Sequence, residues 1–272
     1  MTFANNPTID AAREGSPVEQ VSTFNASWLG LSGARVLVAG AGGIGAECVA
    51  GYVAAGARVV VTDLDESRLG DLAARVPGIR TIAADLTRTG EGSRVVGEAI
   101  DQLGGIDVLL HCVGINDRRP VLEFTEQEWD RVLRVNLSTA FGVAQAAGRH
   151  MVGAGAGRIV MLSSVSGWLA HEKHGPYATS KGGMNQMMRV MAREWASSGV
   201  TVNAVAPGYV ETGLTADYLA RPGVRDGLTS LVPAGRLGVP AEVVGPILFL
   251  SSAHAGFVTG QVLNVDGGRT LV

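Results

Sequence analysis

Seven short runs rich in β-branched residues alternate with longer alanine-rich segments from residue 34 to the end of the chain. This alternation is typical of βαβ units, in which parallel strands form one sheet and the connecting helices cover both of its faces. We therefore predict an α/β fold with a doubly wound, seven-stranded parallel sheet. The predicted strands are Arg35–Ala39, Arg58–Thr62, Ile79–Ala83, Asp107–Cys112, Arg158–Ser163, Thr201–Val205 and Gln261–Val265. The predicted helices lie near residues 44–56, 66–76, 90–103, 125–152, 177–198 and 240–252.

No internal repeat, low-complexity tract or linker divides this alternating region. We therefore predict a single domain over residues 31–272. Residues 1–30 are polar and lack periodicity, and we interpret them as an N-terminal extension. They carry charges but no apolar core, so we expect no secretory signal.

The composition excludes several classes of protein. Apolar residues make up 46% of the 272 residues and charged residues 17%, which excludes an extended disordered chain. The formal net charge of −3 gives no electrostatic reason to expect nucleic acid or an anionic membrane as partner. Two cysteines, Cys48 and Cys112, do not make a disulfide framework. We expect a soluble, cytoplasmic protein.

A glycine-rich turn follows the first predicted strand and opens the first predicted helix. Glycines there allow a tight turn and let a pyrophosphate approach backbone N–H groups at a helix N-terminus. The chain contains 38 glycines, so the spacing alone is a weak signal, and the order of strand, turn and helix is what favours a dinucleotide site over a purely structural turn. The turn reads Gly40-Ala41-Gly42-Gly43-Ile44-Gly45.

A carboxylate, Asp63, follows the second predicted strand about twenty residues after the glycine turn. It can accept hydrogen bonds from both ribose hydroxyls of an adenosine, and it would repel a 2′-phosphate. No arginine or lysine lies at Ala41, Gly42 or Gly43 to attract that phosphate. We therefore predict NAD, rather than NADP, as the cofactor; the alternative is a surface aspartate without a ligand.

Tyr177 and Lys181 are four residues apart in a predicted helix, so their side chains share one face. A nearby cation favours the phenolate and would make the tyrosine a usable acid–base near neutral pH. The chain has only two lysines, which makes this pairing informative. The alternative is an exposed helix face.

Two further polar residues, Ser164 and Asn136, are candidates for the same site. Ser164 ends a strand thirteen residues before Tyr177, and ligands of parallel α/β sheets bind beyond the carboxyl ends of strands. Asn136 lies inside a helical segment, where asparagine is either exposed or buried and holding a group such as water. Taken alone, an exposed asparagine is the commoner case.

Together these features resemble the short-chain dehydrogenase/reductase family over residues 31–272. The resemblance implies a Rossmann fold in which Tyr177 exchanges the hydroxyl proton and Lys181 holds the ribose and lowers the tyrosine pKa. It also implies that Ser164 positions the substrate oxygen, that Asn136 anchors water in the proton path, and that the chain forms a homotetramer through helices 125–152 and 177–198.

The resemblance extends to the cofactor-binding segments. Residues 207–212 are similar to the family's turn over the nicotinamide amide, Asp85-Leu86 to the pair that flanks the adenine, and residues 266–268 to the C-terminal signature. The residues expected to bind the cofactor are Gly40, Gly42, Gly43, Ile44, Gly45, Asp63, Leu64, Asp85, Leu86, Cys112, Gly114, Tyr177, Lys181, Pro207, Gly208, Val210 and Thr212.

The sequence departs from the family pattern at two places. The glycine turn is one residue shorter than usual, and Ala39 stands where the family has threonine. His111-Cys112-Val113-Gly114 replaces the usual Asn-Asn-Ala-Gly after the fourth strand, so the side-chain bonds that steady this strand must be replaced or absent. Contact between the Cys112 backbone and the cofactor would survive, and a buried cysteine is usually an apolar filler rather than a reactive thiol.

Within the family, residues 114–129 resemble gluconate 5-dehydrogenases and related deoxygluconate dehydrogenases. Arg118 and Arg119 could bind a substrate carboxylate through their planar forks; the alternatives are surface arginines and a subunit contact. His171 and His174 lie between Ser164 and Tyr177, in a segment that the family uses as the wall of the substrate pocket. We expect substrate contact there and no metal, because no cysteine or carboxylate cluster completes a site.

The sequence therefore predicts an NAD-dependent oxidoreductase that interconverts a secondary alcohol and a ketone on a sugar acid, sugar or polyol. One alternative is a ketone reductase similar to 3-oxoacyl-carrier-protein reductase. The alternative from another class is a non-catalytic NAD(H)-binding sensor or scaffold on the same fold. The altered segment at His111 favours the sensor, whereas the Tyr177 and Lys181 pair favours an enzyme.

Overall fold

The computed structural model describes residues 26–272 and contains one seven-stranded sheet in the order β3-β2-β1-β4-β5-β6-β7. Every neighbouring pair of strands is parallel, which confirms the predicted α/β fold. The strands are β1 (Arg35–Ala39), β2 (Arg58–Asp63), β3 (Arg80–Ala83), β4 (Val108–His111), β5 (Gly157–Leu162), β6 (Val200–Pro207) and β7 (Val262–Val265). The predicted extension at residues 1–30 lies almost wholly outside the described residues.

Helices cover both faces of the sheet. The α-helices of the described region are α1 (Gly43–Ala54), α2 (Glu66–Arg75), α3 (Glu91–Leu103), α4 (Glu126–Leu133), α5 (Thr139–Ala154), α6 (Gly175–Trp195), α7 (Gly213–Leu219), α8 (Val224–Thr229) and α9 (Pro240–Ser251). No helix within residues 26–272 is long and apolar enough to cross a membrane.

The two cores follow from the two-residue period of a strand. In β1, Val36 and Val38 face a core formed with α1, α2 and α9, whereas Leu37 faces the opposite core formed with α3, α5 and α6. All three side chains are fully buried. Strands buried on both faces read as continuous apolar runs, which is why the central strands were predictable.

The structure differs from the sequence prediction in two segments that border the site. The helix predicted over residues 125–152 is α4 and α5 joined by a π-helical turn, Arg134–Ser138. Two short helices, α7 and α8, lie between β6 and α9, where none was predicted. These helices are too short to produce a clear helical period, and a π turn does not alter the apolar pattern enough to be recognised.

The strand order changes direction between β1 and β4. The connections from β1 lead outwards to β2 and β3, and those from β4 lead the other way to β5, β6 and β7. At such a switch point the loops after the two central strands separate and leave a crevice at their carboxyl ends. The predicted site residues all follow strands that end at this crevice or lie on the helices beside it.

Candidate active site

A cavity of about 340 Å³ lies beyond the carboxyl ends of β4, β5 and β6. Ser164, Tyr177 and Lys181 all line it, so the structure brings together three residues that the sequence predicted as a catalytic set. Ser164 follows β5, and the other two lie on the first turns of α6, which begins at Gly175. Pro176 in the first turn of this helix lacks an N–H that would have no partner there in any case.

The protonation of Tyr177 is controlled by opposing effects. Burial raises the pKa of its phenol, while a hydrogen bond with Ser164 and the positive charge of Arg118 lower it. Lys181, the cation predicted from the sequence to lower this pKa, has its Nζ 5.7 Å from the centre of the tyrosine ring. In this structure the ammonium donates to the carbonyl oxygen of Leu162 at 2.7 Å, and burial lowers its pKa to about 8.

Asn136 is buried in the π-helical turn, and its amide joins two parts of the site. Its Nδ2 donates to the carbonyl oxygen of Ile115 and to the hydroxyl of Ser180, both at 3.0 Å. Its Oδ1 accepts from the N–H of Ile115 at 2.8 Å. Asn136 therefore fixes the loop after β4 against α6, and the anchoring of a water by this residue stays a prediction.

His111 provides a replacement for the side-chain bonds that the altered strand end was expected to lack. Its imidazole is fully buried, and its Nε2 lies 3.1 Å from the hydroxyl of Thr139. Thr139 in turn donates to the carbonyl oxygen of Val135, inside the π-helical turn. Burial lowers the histidine pKa to about 3, so the ring is neutral; burial also raises the pKa of Cys112 to about 12, which keeps that thiol protonated.

A second cavity of about 690 Å³ adjoins the first along the crevice. Most of the predicted cofactor residues line it; they are Gly40, Gly42, Gly43, Ile44, Asp63, Leu64, Asp85, Leu86, Cys112, Gly114 and Thr212. Pro207, Gly208 and Val210 line the smaller cavity together with Tyr177 and Lys181. The predicted cofactor residues thus form a continuous wall through both cavities, with the exception of Gly45.

The glycine turn fits a dinucleotide. Gly40 has φ +103°, and an added Cβ would lie 3.0 Å from the backbone carbon of Cys112. Gly43 has φ +43° and begins α1, and it lines the larger cavity together with Ile44, so this cavity lies at the N-terminus of the helix. These conformations favour glycine and leave the backbone accessible to a pyrophosphate.

Gly45 lines neither cavity and has a packing role. Replacing it with alanine would place a Cβ 2.1 Å from the carbonyl oxygen of Gly40, so we expect the free energy of unfolding to fall by about 1–3 kcal/mol. Gly97 is an exposed helical glycine with no atom within 4 Å of an added Cβ. Gly97→Ala should therefore stabilise by about 0.5–1 kcal/mol. Urea unfolding measures the free energy of unfolding of both variants. Equal values for the two would contradict the close packing of residue 45 against the Gly40 carbonyl.

Asp63, at the end of β2, has three hydrogen-bond partners among the described residues. Its carboxylate accepts from the backbone N–H of Ala41 at 2.8 Å and from that of Asp65 at 3.0 Å. The guanidinium of Arg68, from the first turn of α2, donates to it at 3.0 Å and lines the same cavity. The glycine turn itself contains no cation, and Arg68 was not predicted because it reaches the turn only where α2 folds back over it.

The structure separates the two adjacent arginines. Arg118 lines the cavity that contains Tyr177, donates from Nε to His174 at 3.1 Å and stacks over the ring of Tyr218. Arg119 does not line this cavity. It forms ion pairs with Asp117 and Glu128 at 2.7 and 2.9 Å and belongs to the surface beside it; only Arg118 remains a candidate for binding substrate.

His171 and His174 both line the smaller cavity, with their ring centres 5.6 Å apart. Burial lowers the pKa of both imidazoles, that of His174 to about 4, so both rings are neutral near pH 7. Across residues 26–272, no group of three or more His, Cys, Asp and Glu side chains could hold a metal ion. Both rings already have hydrogen-bond partners: Nδ1 of His171 lies 2.9 Å from the hydroxyl of Ser166, its Nε2 lies 3.3 Å from that of Tyr209, and His174 accepts from Arg118.

The lining also includes two tyrosines and an arginine that are not among the site residues predicted from the sequence. They are Tyr209 after β6, Tyr218 on α7 and Arg269 near the C-terminus. The sequence carried a signal for Tyr209, which lies inside the turn that resembles the nicotinamide-binding segment. It carried none for Tyr218 or Arg269, because their approach depends on how α7 and the chain after β7 fold over the crevice.

The chain is similar to known proteins over most of its length. Residues 38–270 match the family described as "Enoyl-(Acyl carrier protein) reductase". Gluconate 5-dehydrogenase of Gluconobacter oxydans and galactitol 2-dehydrogenase (L-tagatose-forming) of Cereibacter sphaeroides are each 38% identical to this chain, over 89% of it and 96% of their own length. A crystal structure of a gluconate 5-dehydrogenase from Burkholderia cenocepacia, in complex with NADP and tartrate, has a TM-score of 0.85 at 36% identity, covering 89% of this chain and 96% of that one.

The fold and the side chains of the crevice define an oxidoreductase that acts on CH–OH groups with a nicotinamide cofactor. The chain belongs to the short-chain dehydrogenase/reductase family. Several of its relatives are named as dehydrogenases or reductases of sugar acids and polyols.

Proposed function

We propose that this enzyme uses NAD to oxidise a secondary hydroxyl of a polyhydroxy acid to a ketone. The observation that carries the proposal is Arg118, a guanidinium in the catalytic cavity that forms no ion pair with a carboxylate of the described residues. A partly buried cation without a counter-charge favours an anionic ligand, and the planar fork of arginine matches a carboxylate. The relatives include a gluconate 5-dehydrogenase and 5-keto-D-gluconate 5-reductases.

Each catalytic side chain has a role that its geometry permits. The nicotinamide, when bound, accepts hydride from the carbinol carbon. Tyr177 takes the hydroxyl proton, and Ser164, whose hydroxyl lowers the pKa of the phenol, orients the same oxygen. Lys181 lies beside the tyrosine and can turn from the Leu162 carbonyl towards the ribose. The neutral imidazole of His174 accepts from Arg118 through Nε2 and so holds the guanidinium in place in the cavity.

The direct test is formation of reduced cofactor with D-gluconate, galactitol and simple secondary alcohols. We expect turnover of gluconate at a higher kcat/KM than that of galactitol, because only gluconate carries a group for Arg118. Turnover of neutral alcohols alone would leave a dehydrogenase but remove the carboxylate proposal. Absence of turnover with tight NADH binding would favour the non-catalytic sensor.

The cofactor proposal has a separate test. Asp63→Ala should weaken NAD binding about tenfold, the effect of losing a charge-assisted hydrogen bond to the ribose. Arg68→Ala should leave the NAD reaction near native and lower any activity with NADP, because it removes the cation beside the ribose pocket. Asp71→Ala, an exposed carboxylate on the same helix, is the control. Initial rates of each variant with NAD and with NADP measure these effects. A preference of the native enzyme for NADP would overturn the proposal that NAD is the cofactor.

A second candidate is reduction of a 3-oxoacyl thioester. The apolar wall of the catalytic cavity favours it, since several leucines of α7, α8 and the following loop face the catalytic groups. They are Leu214, Leu219, Leu228, Leu231 and Leu237. Oxidation of NADPH by acetoacetyl thioesters, in preference to keto-acids, would establish this activity instead.

We also propose that the enzyme assembles as a homotetramer through the helices predicted for that contact. Phe141 on α5 and Val190 on α6 are large apolar side chains that are 46% and 47% exposed. Apolar groups on the outer faces of two long neighbouring helices suit burial against copies of the same chain. Sedimentation equilibrium of the native protein measures the assembly directly.

A further inference from the structure

A series of hydrogen-bonding contacts joins Ser164 to one wall of the catalytic cavity. The backbone N–H of Ser166 donates to Oγ of Ser164 at 3.1 Å, and the hydroxyl of Ser166 lies 2.9 Å from Nδ1 of His171. The Nε2 of His171 lies 3.3 Å from the hydroxyl of Tyr209, which also accepts from Nε of Arg269 at 3.4 Å. The imidazole therefore connects the segment after β5 with the segments after β6 and β7.

Both nitrogens of the His171 ring are committed to these contacts. Burial and the positive charges of Arg269 and Arg118 lower its pKa, so the ring is neutral near pH 7 and has one donor nitrogen and one acceptor nitrogen. The hydroxyls of Ser166 and Tyr209 can each donate or accept, so they match either tautomer. The ring therefore has no free nitrogen for a hydroxyl of the substrate.

The residue that contacts Ser164 lies in a short turn. This turn is a single 3-10 turn, Val165–Gly167, and such turns have poorer hydrogen-bond geometry than an α-helix. Ser166 is buried, so its hydroxyl would cost free energy without a partner, and the His171 imidazole supplies that partner. The imidazole thereby holds the side chain of Ser166, and with it the N–H that donates to Ser164.

The Ser166 N–H influences how the Ser164 hydroxyl is used. A serine hydroxyl has one hydrogen to donate and two lone pairs with which to accept. The N–H engages a lone pair and leaves the hydrogen free for the phenol of Tyr177, whose pKa the hydrogen bond with Ser164 lowers. Loss of the N–H contact would let the hydroxyl rotate away from Tyr177 and from the substrate oxygen.

We propose that His171 is a positioning residue, which holds Ser166 and through it directs the hydroxyl of Ser164 towards Tyr177 and the substrate oxygen. The proposal rests on the roles of Ser164 and Tyr177 in the proposed function, and it applies to any alcohol that the enzyme oxidises. Tyr209 holds the other side of the same imidazole.

The test is a double-mutant cycle of His171→Leu and Ser166→Ala, read as kcat for oxidation of D-gluconate. Each single variant should lower kcat about tenfold, the effect of one misplaced hydrogen bond in the transition state. The double variant should be no slower than either single variant, because both remove the same contact. His171→Asn, whose amide can take the place of Nδ1, should recover most of the loss. The KM for NAD should change less than about threefold throughout.

His254→Leu is the matched control. His254 lies outside the cavity, where its Nε2 is 2.7 Å from the carbonyl oxygen of Trp28. The variant removes an imidazole and its hydrogen bond far from the catalytic groups, so kcat should remain native. Urea unfolding of His171→Leu and His254→Leu separates a loss of stability, which both variants can show, from the loss of kcat, which only the first should show.

Ultraviolet titration of the Tyr177 phenol is a second readout, and it needs no turnover. Subtracting the titration of the same protein with Tyr177→Phe isolates this phenol from the other three tyrosines. Its pKa should rise in His171→Leu, because the hydrogen bond with Ser164 that lowers it is lost. The other groups that face the phenol are unchanged in this variant; they are Arg118, Lys181 and His174.

Native kcat and a native phenol pKa in His171→Leu would overturn the proposal. Additive losses in the double variant, or equal kcat in His171→Asn and His171→Leu, would also overturn it. A higher KM for gluconate with kcat unchanged would do the same, since this pattern indicates direct contact with the substrate. Failure of the proposed function gives a different result: no oxidation of gluconate, with the phenol titration still responding to His171→Leu.

Discussion

Tyr177→Phe should lower kcat by about a thousandfold or more, within the usual range for loss of a general acid–base together with its hydrogen bond to the reacting oxygen. The phenylalanine ring fills the same space beside His174, whose ring centre lies 5.9 Å away, so the cavity keeps its shape. Reduced-cofactor formation measures the loss, and NADH fluorescence titration should give a dissociation constant near the native value. Retention of most of the turnover would exclude Tyr177 as the proton acceptor.

The matched control is Tyr52→Phe. Tyr52 is fully buried in the core between α1 and α9, and its hydroxyl lies 2.6 Å from that of Ser251. Removing that hydroxyl should lower the free energy of unfolding by about 1 kcal/mol and leave turnover unchanged. Because burial raises the Tyr177 pKa, oxidation by the native enzyme should also accelerate as the pH rises, whereas ketone reduction should not.

Arg118→Gln should reduce kcat/KM for D-gluconate by about a hundredfold, the effect of leaving a desolvated carboxylate without its charged partner. Galactitol should be affected much less, because it has no carboxylate. We expect a modest fall in kcat/KM for galactitol, because the Arg118 charge lowers the Tyr177 pKa and its removal leaves the phenol harder to ionise. The pH profile for galactitol oxidation should accordingly move to higher pH in the variant.

Arg119→Gln is the matched control for this substitution. It removes a neighbouring guanidinium whose partners, Asp117 and Glu128, lie outside the catalytic cavity. Exposed ion pairs contribute little to stability, so we expect the free energy of unfolding to change by less than about 1 kcal/mol. The kinetics with both substrates should remain native. Equal losses with gluconate and galactitol in Arg118→Gln would show that Arg118 acts on the tyrosine and not on the carboxylate.

The strand prediction succeeded because the central strands are buried on both faces. A strand such as β1 must then be apolar at every position, and this leaves a short β-branched run that is recognisable without any partner strand. Tyr177 and Lys181 were recognisable for a similar reason. Their relation is local to one helix, where a spacing of four residues places two side chains on one face.

The polar wall of the cavity was only partly predictable. Arg118 and Arg119 are the same residue type with the same charge, and the sequence does not distinguish them. In the structure Arg119 forms ion pairs with Asp117 and Glu128, whereas Arg118 lines the cavity. Arg68 approaches Asp63 only because α2 folds back over the glycine turn. The charge environment of a side chain depends on neighbours that are distant in sequence, and these become known only when the chain is folded.

The sequence by itself determined the α/β class, the position of the glycine turn and the tyrosine–lysine pair, because periodicity, turn chemistry and helical spacing act over a few residues. Only the tertiary structure decided which arginine faces the substrate, and only it brought Arg269 to within 3.4 Å of the hydroxyl of Tyr209, 60 residues away. The physical reason is that strand and helix formation are local, whereas a binding site is assembled where the ends of several strands converge.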